Sequence, residues 1–84
     1  MRIQTRVRNH RKAAGLTLDE FAAQIGDPGG QYHHWECGSR GHLPLRLRVV
    51  LSQRTGWPLR DFVSAEEYAL AKELVVLIAR DAAP

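Results

Sequence analysis

The stretch LTLDEFAAQIGDPGGQYHHWECG, residues 16–38, decides the fold expected for this chain. Its apolar residues recur at helical spacing, and a turn-forming segment rich in glycine interrupts the pattern in the middle. This spacing predicts one helix, a tight turn and a second helix that together close a small core. The residues expected to face inward are Leu16, Phe21, Ala22, Ile25, Tyr32 and Trp35.

Capping residues set the expected ends of these two helices. Thr17 is a good N-cap, and the acidic residues at positions 19 and 20 suit the positive end of a helix dipole. This helix should end near Gly26. Asp27 followed by Pro28 is a second start signal, which predicts a helix over about residues 28–36. The two glycines at positions 29 and 30 disfavour a helix by about 1 kcal/mol each, so neighbouring elements must hold it.

Helical patterns also cover most of the chain on either side of this stretch. They predict helices over residues 3–14 and about 44–55, followed by a short helical turn over residues 59–63. Ser64 with Glu67 three residues later is a capping-box signature, which opens a final helix to about residue 80. The expected fold is therefore all-α, with a five-helix domain in residues 1–63 and an additional apolar helix in residues 64–84 that belongs to the same compact unit.

Length and composition predict a single cytoplasmic domain. The chain has 84 residues, of which 44% are hydrophobic and 25% charged, as is ordinary for a folded globular protein. No apolar run approaches the roughly 20 residues that span a bilayer, and the arginine-rich start lacks the apolar stretch of a signal peptide. The single cysteine, Cys37, has no partner for an internal disulfide, which fits a reducing compartment.

Charge is distributed unevenly although the formal net charge is only +3. Residues 1–12 contain five basic residues and no acid, and residues 40–60 contain five more, again without an acid. Residues 61–84 hold five acids and two basic residues. The two basic blocks favour a polyanionic partner, and the alternative is that they are solvated faces.

The final predicted helix is apolar around most of its circumference. Such a helix must bury two sides, and its own domain covers only one of them. We expect a second copy of the chain to cover the other, which predicts a homodimer, while the alternative is a helix enclosed entirely within its own domain. The dimerisation candidates are Tyr68, Ala71, Leu74, Val75, Leu77 and Ile78.

The chain resembles the Cro and lambda-repressor-like helix-turn-helix family over about residues 3–63. The resemblance implies a five-helix domain whose third helix enters the major groove of DNA, usually as a dimer on two half-sites. The motifs that carry it are Arg11, Gly15-Leu16-Thr17, Phe21-Ala22, Ile25-Gly26, Tyr32, Trp35-Glu36, Cys37-Gly38 and Thr55-Gly56-Trp57-Pro58-Leu59 with Phe62.

The resemblance also assigns roles to single residues. Arg11 and Glu36 match a partly buried ion pair that ties the first helix to the third. The base-reading candidates are Gln31, His34, His33, Gly29 and Gly30, of which Gln31 suits adenine and His34 a guanine acceptor or a phosphate. His33 ranks below Gln31 and His34 as a candidate, because its position on the helix can turn it away from the bases. The phosphate-binding candidates are Thr17, Arg6, Arg8, Arg40, His42, Arg46 and Arg48.

Two departures from the family pattern bear on DNA recognition. Leu18 stands where the family often has a glutamine that binds a phosphate. Gly29 and Gly30 occupy positions that often carry base-reading side chains. Either the backbone approaches DNA closely there, or sequence reading shifts to Gln31, His34 and the flanking arginines.

The sequence gives less support to a metal site or to catalysis. A metal site formed by His33, His34, Cys37 and His42 lacks a second cysteine and a CxxC motif, so we expect no metal. No phosphate-binding loop or nucleophile with a base is present, so we expect no enzyme, no cofactor and no small-molecule ligand.

The predicted function is sequence-specific regulation of transcription on double-stranded DNA. We expect a bacterial or phage repressor similar to Cro, which blocks a promoter as a homodimer on an inverted repeat, because so short a chain has little room for an effector domain. The alternative is an antitoxin or protein-interaction module whose C-terminal helix docks a different protein.

Overall fold

The structure, a computed structural model, describes residues 1–27, 29–39 and 42–82. Within these ranges it contains one 3₁₀ turn, Leu59–Asp61, no strand, and five α-helices: α1 (Ile3–Ala13), α2 (Leu18–Ile25), α3 (Gln31–Cys37), α4 (Leu45–Thr55) and α5 (Tyr68–Ala82). The predicted all-α class is confirmed. The element expected over residues 59–63 is only a single 3₁₀ turn.

The core lies where α1, α2, α3 and α4 meet. Its centre is Tyr32, whose ring lies between those of Phe21 and Trp35, with centroid distances of 5.2 and 5.8 Å. Of the residues predicted to face inward, these three and Ile25 are buried, whereas Leu16 and Ala22 are half-buried. The other buried members of this core are Val7, Leu43, Leu47, Leu51 and Phe62.

The capping box predicted at Ser64 and Glu67 is present, and Thr17, predicted as an N-cap, forms a second capping box with Glu20. The Thr17 hydroxyl accepts from the backbone N–H of Glu20, and the Glu20 carboxylate accepts from the backbone N–H of Thr17. Ser64 and Glu67 make the same reciprocal pair of hydrogen bonds. After Ser64 the chain first forms a turn over residues 65–67, and the regular helix α5 follows it.

Arg48 ties α5 to the rest of the fold. Its Nη1 and Nη2 donate to the two carboxylate oxygens of Glu67 at 2.8 and 2.7 Å. Its Nε donates to the Leu43 carbonyl, and Nη1 donates also to the Phe62 carbonyl. Because all three guanidinium nitrogens have partners inside the chain, this side chain joins the segment before α4, the end of the 3₁₀ turn and the start of α5.

We predict that this tie weakens in acid. The hydrogen bonds from Arg48, followed by the backbone N–H of Ser64, lower the pKa of Glu67 from 4.5 to about 2. A carboxyl whose pKa is depressed on folding stabilises the native state fully above its unfolded pKa and loses that contribution as the pH falls towards the folded pKa. The urea midpoint of the wild-type protein should therefore fall more steeply between pH 4.5 and 2 than that of Glu67→Gln. Equal slopes for the two proteins would contradict the assignment.

Candidate nucleic-acid interface

The turn between α2 and α3 fixes where α3 begins. Gly26 and Gly30 both adopt the left-handed conformation, with φ of +77° and +74°. The carboxylate of Asp27, which is buried, reaches forward and accepts from the backbone N–H of Tyr32 at 2.7 Å and of Gly29 at 3.3 Å. Asp27 thus caps α3 from a distance rather than as the adjacent N-cap.

The predicted start of α3 at residue 28 is therefore wrong. Pro28, expected at the first helical position, lies outside the described residues, and the helix begins at Gln31. The physical reason is that the left-handed backbone at Gly30 cannot belong to a right-handed helix. Only seven residues remain in α3, which ends at Gly38 with φ of +83°.

A buried ion pair holds α3 against α1, as predicted. Arg11 Nε and Nη2 donate to the two carboxylate oxygens of Glu36 at 3.0 and 2.8 Å, and its Nη1 donates to the Leu16 carbonyl at 2.8 Å. The Tyr32 hydroxyl donates to the same carboxylate. The hydrogen bond to Glu36 raises the pKa of Arg11, and burial, followed by its bond to Glu36, raises the pKa of Tyr32. This network fixes the rotation of α3 about its axis.

The opposite face of α3 carries the predicted base-reading residues. His33 and His34 are both exposed, and Gln31 is half-buried. The Ser39 hydroxyl donates to the His34 carbonyl at 3.2 Å and lies 3.5 Å from His34 Nδ1. Because His33 and His34 are both exposed, exposure gives no reason to rank His33 below His34 as a base-reading candidate.

The glycines before α3 differ in what they require. Both are exposed, and a Cβ built on either would have no neighbouring atom within 4 Å. Gly30 needs its positive φ, whereas Gly29 has no such backbone conformation. Neither the backbone nor the packing of the fold accounts for a glycine at position 29, and the surface there is open to the approach of another molecule.

Three arginines predicted to bind phosphates are engaged elsewhere in the fold. Arg48 is held by Glu67 and two backbone carbonyls as described above, so its assignment as a phosphate ligand gains no support. The Arg6 guanidinium lies 4.4 Å from the centroid of the Trp57 ring and 3.4 Å from an Asp61 carboxylate oxygen. Arg46 pairs with Asp81 of α5 at 3.6 Å, in an exposed pair that contributes little to stability.

The remaining phosphate-binding candidates stay predictions. Arg8 and His42 are exposed, and Arg40 lies outside the described residues. Thr17 is exposed, but its hydroxyl caps α2 together with Glu20. The Glu20 carboxylate, whose pKa is lowered by the backbone N–H of Thr17, puts a negative charge beside this helix end and opposes a phosphate there.

Arg2 is a basic residue near α3 that the sequence interpretation did not single out. A Cβ built on Gly38 would lie 3.5 and 3.7 Å from the two terminal nitrogens of Arg2, which places this guanidinium over the end of α3. The basic block at the start of the chain includes Arg2, but nothing in the local pattern pairs it with a residue 36 positions away.

The predicted dimerisation face of α5 needs one correction. Ala71 is fully buried, so it packs inside its own domain and cannot contact a second copy. Tyr68, Leu74, Val75 and Ile78 are half-buried. The large apolar side chains that α5 leaves most exposed are Leu77, at 48%, and two residues not among the candidates, Leu70 and Val76, both at 54%.

The described residues show neither a metal-binding cluster nor a membrane span. Across residues 1–27, 29–39 and 42–82, no group of three His, Cys, Asp or Glu side chains could hold a metal ion. The alternative of a metal site at His33, His34, Cys37 and His42 therefore gains no support. Over the same ranges, no helix combines the length and the apolar character needed to cross a bilayer.

A scan against protein-family models, a search of curated proteins and a search of solved structures each found no match to this chain. The likeness to the Cro and lambda-repressor-like family therefore depends on the motifs in residues 3–63.

Proposed function

We propose that this chain is a sequence-specific regulator of transcription that binds double-stranded DNA as a homodimer and inserts α3 into the major groove. The observation that carries the proposal is that α3 is fixed to the fold on one side and exposed on the other. The Arg11–Glu36 pair fixes one side of the helix, while Gln31, His33 and His34 are presented on the other.

The charges around α3 favour a polyanionic partner. Asp27 and Glu36 are the acidic residues in the described part of residues 26–39, and both are buried and hydrogen-bonded within the fold. The outward face of α3 therefore presents no carboxylate to repel phosphates. A major groove admits one α-helix, and its base edges offer the donors and acceptors that an amide or an imidazole can read.

The protein would act by occluding a promoter. Bound across a promoter, the dimer would exclude other proteins from that DNA, as expected of a repressor in the cytoplasm of a bacterial or phage-infected cell. The family resemblance supports this proposal, and the lone cysteine, Cys37, is compatible with a reducing compartment.

Selection of bound duplexes from a random pool tests the proposal directly. We expect an inverted repeat to be enriched, and binding to weaken steeply with salt as counterions are released. Gln31→Ala should lose preference at one base pair of each half-site, by about tenfold or more, because a bidentate amide contact discriminates by about 1–3 kcal/mol. Gln53→Ala, which removes an exposed glutamine from α4, is the matched control and should leave the preference unchanged.

Two results would contradict the proposal. A pool without any enriched sequence would argue against sequence-specific recognition, and binding that is insensitive to salt would argue against DNA as the partner. A changed preference in Gln53→Ala but not in Gln31→Ala would assign base reading to a surface other than α3.

A second candidate function is a protein-interaction module, such as an antitoxin, in which α5 docks a different protein. The exposed apolar side chains of Leu70 and Leu77 are compatible with this candidate as well, because a different protein could cover them as well as a second copy could. Sedimentation of the purified chain separates the two, since a monomer at micromolar concentration would favour the second candidate.

A further inference from the structure

We propose that Arg2 binds the phosphate backbone of DNA beside the C-terminal end of α3. The inference rests on the proposed function and adds to it a contact residue outside the helix-turn-helix segment. It also changes which basic residues supply affinity, because several of the arginines expected to do so are engaged within the fold.

The position of Arg2 is the first observation. Its terminal guanidinium nitrogens lie over Gly38, the residue that ends α3, at 3.5 and 3.7 Å from where a Cβ would stand. Arg2 itself is exposed, so its charge faces solvent at the edge of the proposed reading surface. A larger residue at position 38 would crowd this arrangement and would also strain a backbone with φ of +83°.

His42, in the segment just before α4, lies beside the start of α1. Ile3 and Gln4 of α1 line a small cavity of about 170 Å³ together with Trp35 and the exposed His42. The start of α1, the end of α3 and the segment before α4 therefore meet on one edge of the molecule. We call the edge formed by Arg2, Gly38 and His42 the α3-end surface.

The charge on the α3-end surface is not neutralised within the described residues. Residues 1–18 and 37–60 contain no acid, and the nearby carboxylate of Glu36 is buried against Arg11. Arg6 and Arg48, by contrast, have carboxylate partners inside the chain. No ion pair between Arg2 and a carboxylate forms in the part of the chain that the structure describes.

This arrangement fits the geometry of a groove. A helix in the major groove has a phosphate strand along each wall, so a cation at the edge of its end faces phosphates rather than bases. The planar guanidinium can donate two parallel hydrogen bonds to one phosphate, which suits it to this contact. We therefore expect Arg2 to add affinity and to leave sequence preference unchanged.

The test compares Arg2→Ala with Arg60→Ala on the full chain, using the duplex enriched by selection and a scrambled duplex. Arg60 is the matched control because it is an exposed arginine on the 3₁₀ turn, where it lines a groove with Ser64 and Tyr68. Arg2→Ala should weaken binding to both duplexes by about tenfold for each subunit of the dimer, as expected for loss of a charge-assisted hydrogen bond. It should also reduce the slope of log K against log salt by about 1.8, because the dimer loses one phosphate contact, worth about 0.9, from each of its two subunits.

Two further measurements complete the test. Arg2→Lys should keep the wild-type salt slope because the charge remains, and the unfolding midpoint of Arg2→Ala should match that of the wild type. If Arg2→Ala and Arg60→Ala bind alike while the wild type binds DNA, the role of Arg2 is overturned and the proposed function stands. If the wild type itself binds neither duplex, the proposed function falls, and the role of Arg2 falls with it.

Discussion

Replacing Glu36 with glutamine is expected to lower the free energy of unfolding by about 3 kcal/mol or more. The substitution leaves the buried guanidinium of Arg11 without its counter-charge, and breaking one side of a buried ion pair costs about 3–5 kcal/mol. It also replaces the carboxylate that accepts from the Tyr32 hydroxyl. For a domain of this size the loss is a large part of the total stability. Urea unfolding followed by circular dichroism measures it.

Two further variants show whether the charge is responsible. Glu73→Gln makes the same chemical change at an exposed position on α5 and should leave the urea midpoint unchanged. Arg11→Met combined with Glu36→Met removes both charges and should recover much of the loss, because an apolar pair can replace a buried ion pair. A Glu36→Gln protein as stable as the wild type would show that the pair contributes nothing to the fold.

The double variant Leu70→Glu with Leu77→Glu is expected to be monomeric and to bind an inverted repeat about 100-fold more weakly than the wild type. The two leucines are seven residues apart, so they lie on the same side of α5. Both are about half exposed, and the fold should tolerate the change. When one subunit of a dimer is bound, the second subunit is held near its own half-site at a high effective concentration. A monomer loses this advantage. Analytical ultracentrifugation and titration with labelled duplex measure the two effects.

Val76→Glu is the matched control for this experiment. Val76 is as exposed as Leu70, but helical geometry places it on a different side of α5 from the two leucines. The single variant should therefore remain dimeric and bind like the wild type. A wild-type protein that sediments as a monomer, or a double variant that remains dimeric, would contradict the proposed role of the Leu70 and Leu77 side of α5.

Features that depend on residues close together in sequence could be predicted well. Thr17 as an N-cap and Ser64 with Glu67 as a capping box marked two helix starts, because a helix cap is completed within four residues. The Arg11–Glu36 pair, which joins distant positions, was found only through the family resemblance. Leu43 shows the limit of local reasoning, since it lies between helices and its burial depends on how α3 and α4 are arranged.

The arginines proposed to bind phosphates could not be distinguished from structural arginines by the sequence alone. An arginine in an acid-free block can bind a partner, or it can form an ion pair with a carboxylate far along the chain, as Arg48 does with Glu67. Likewise, a helix that is apolar all round does not reveal which side its own domain covers. Ala71 was therefore assigned to the dimer face although it is buried against the core. Only the tertiary arrangement distinguishes these cases.

The remote cap on α3 affects how the DNA specificity proposed for this protein could change. Because Asp27 anchors the Tyr32 amide across the intervening residues, the start of the helix does not depend on the side chain at position 29. Gly29 has open space around it and needs no positive φ, so a larger residue can be introduced there without loss of the fold. Gly30 has no such freedom. Position 29 is thus a natural place for mutation, or for redesign, to add a new base contact.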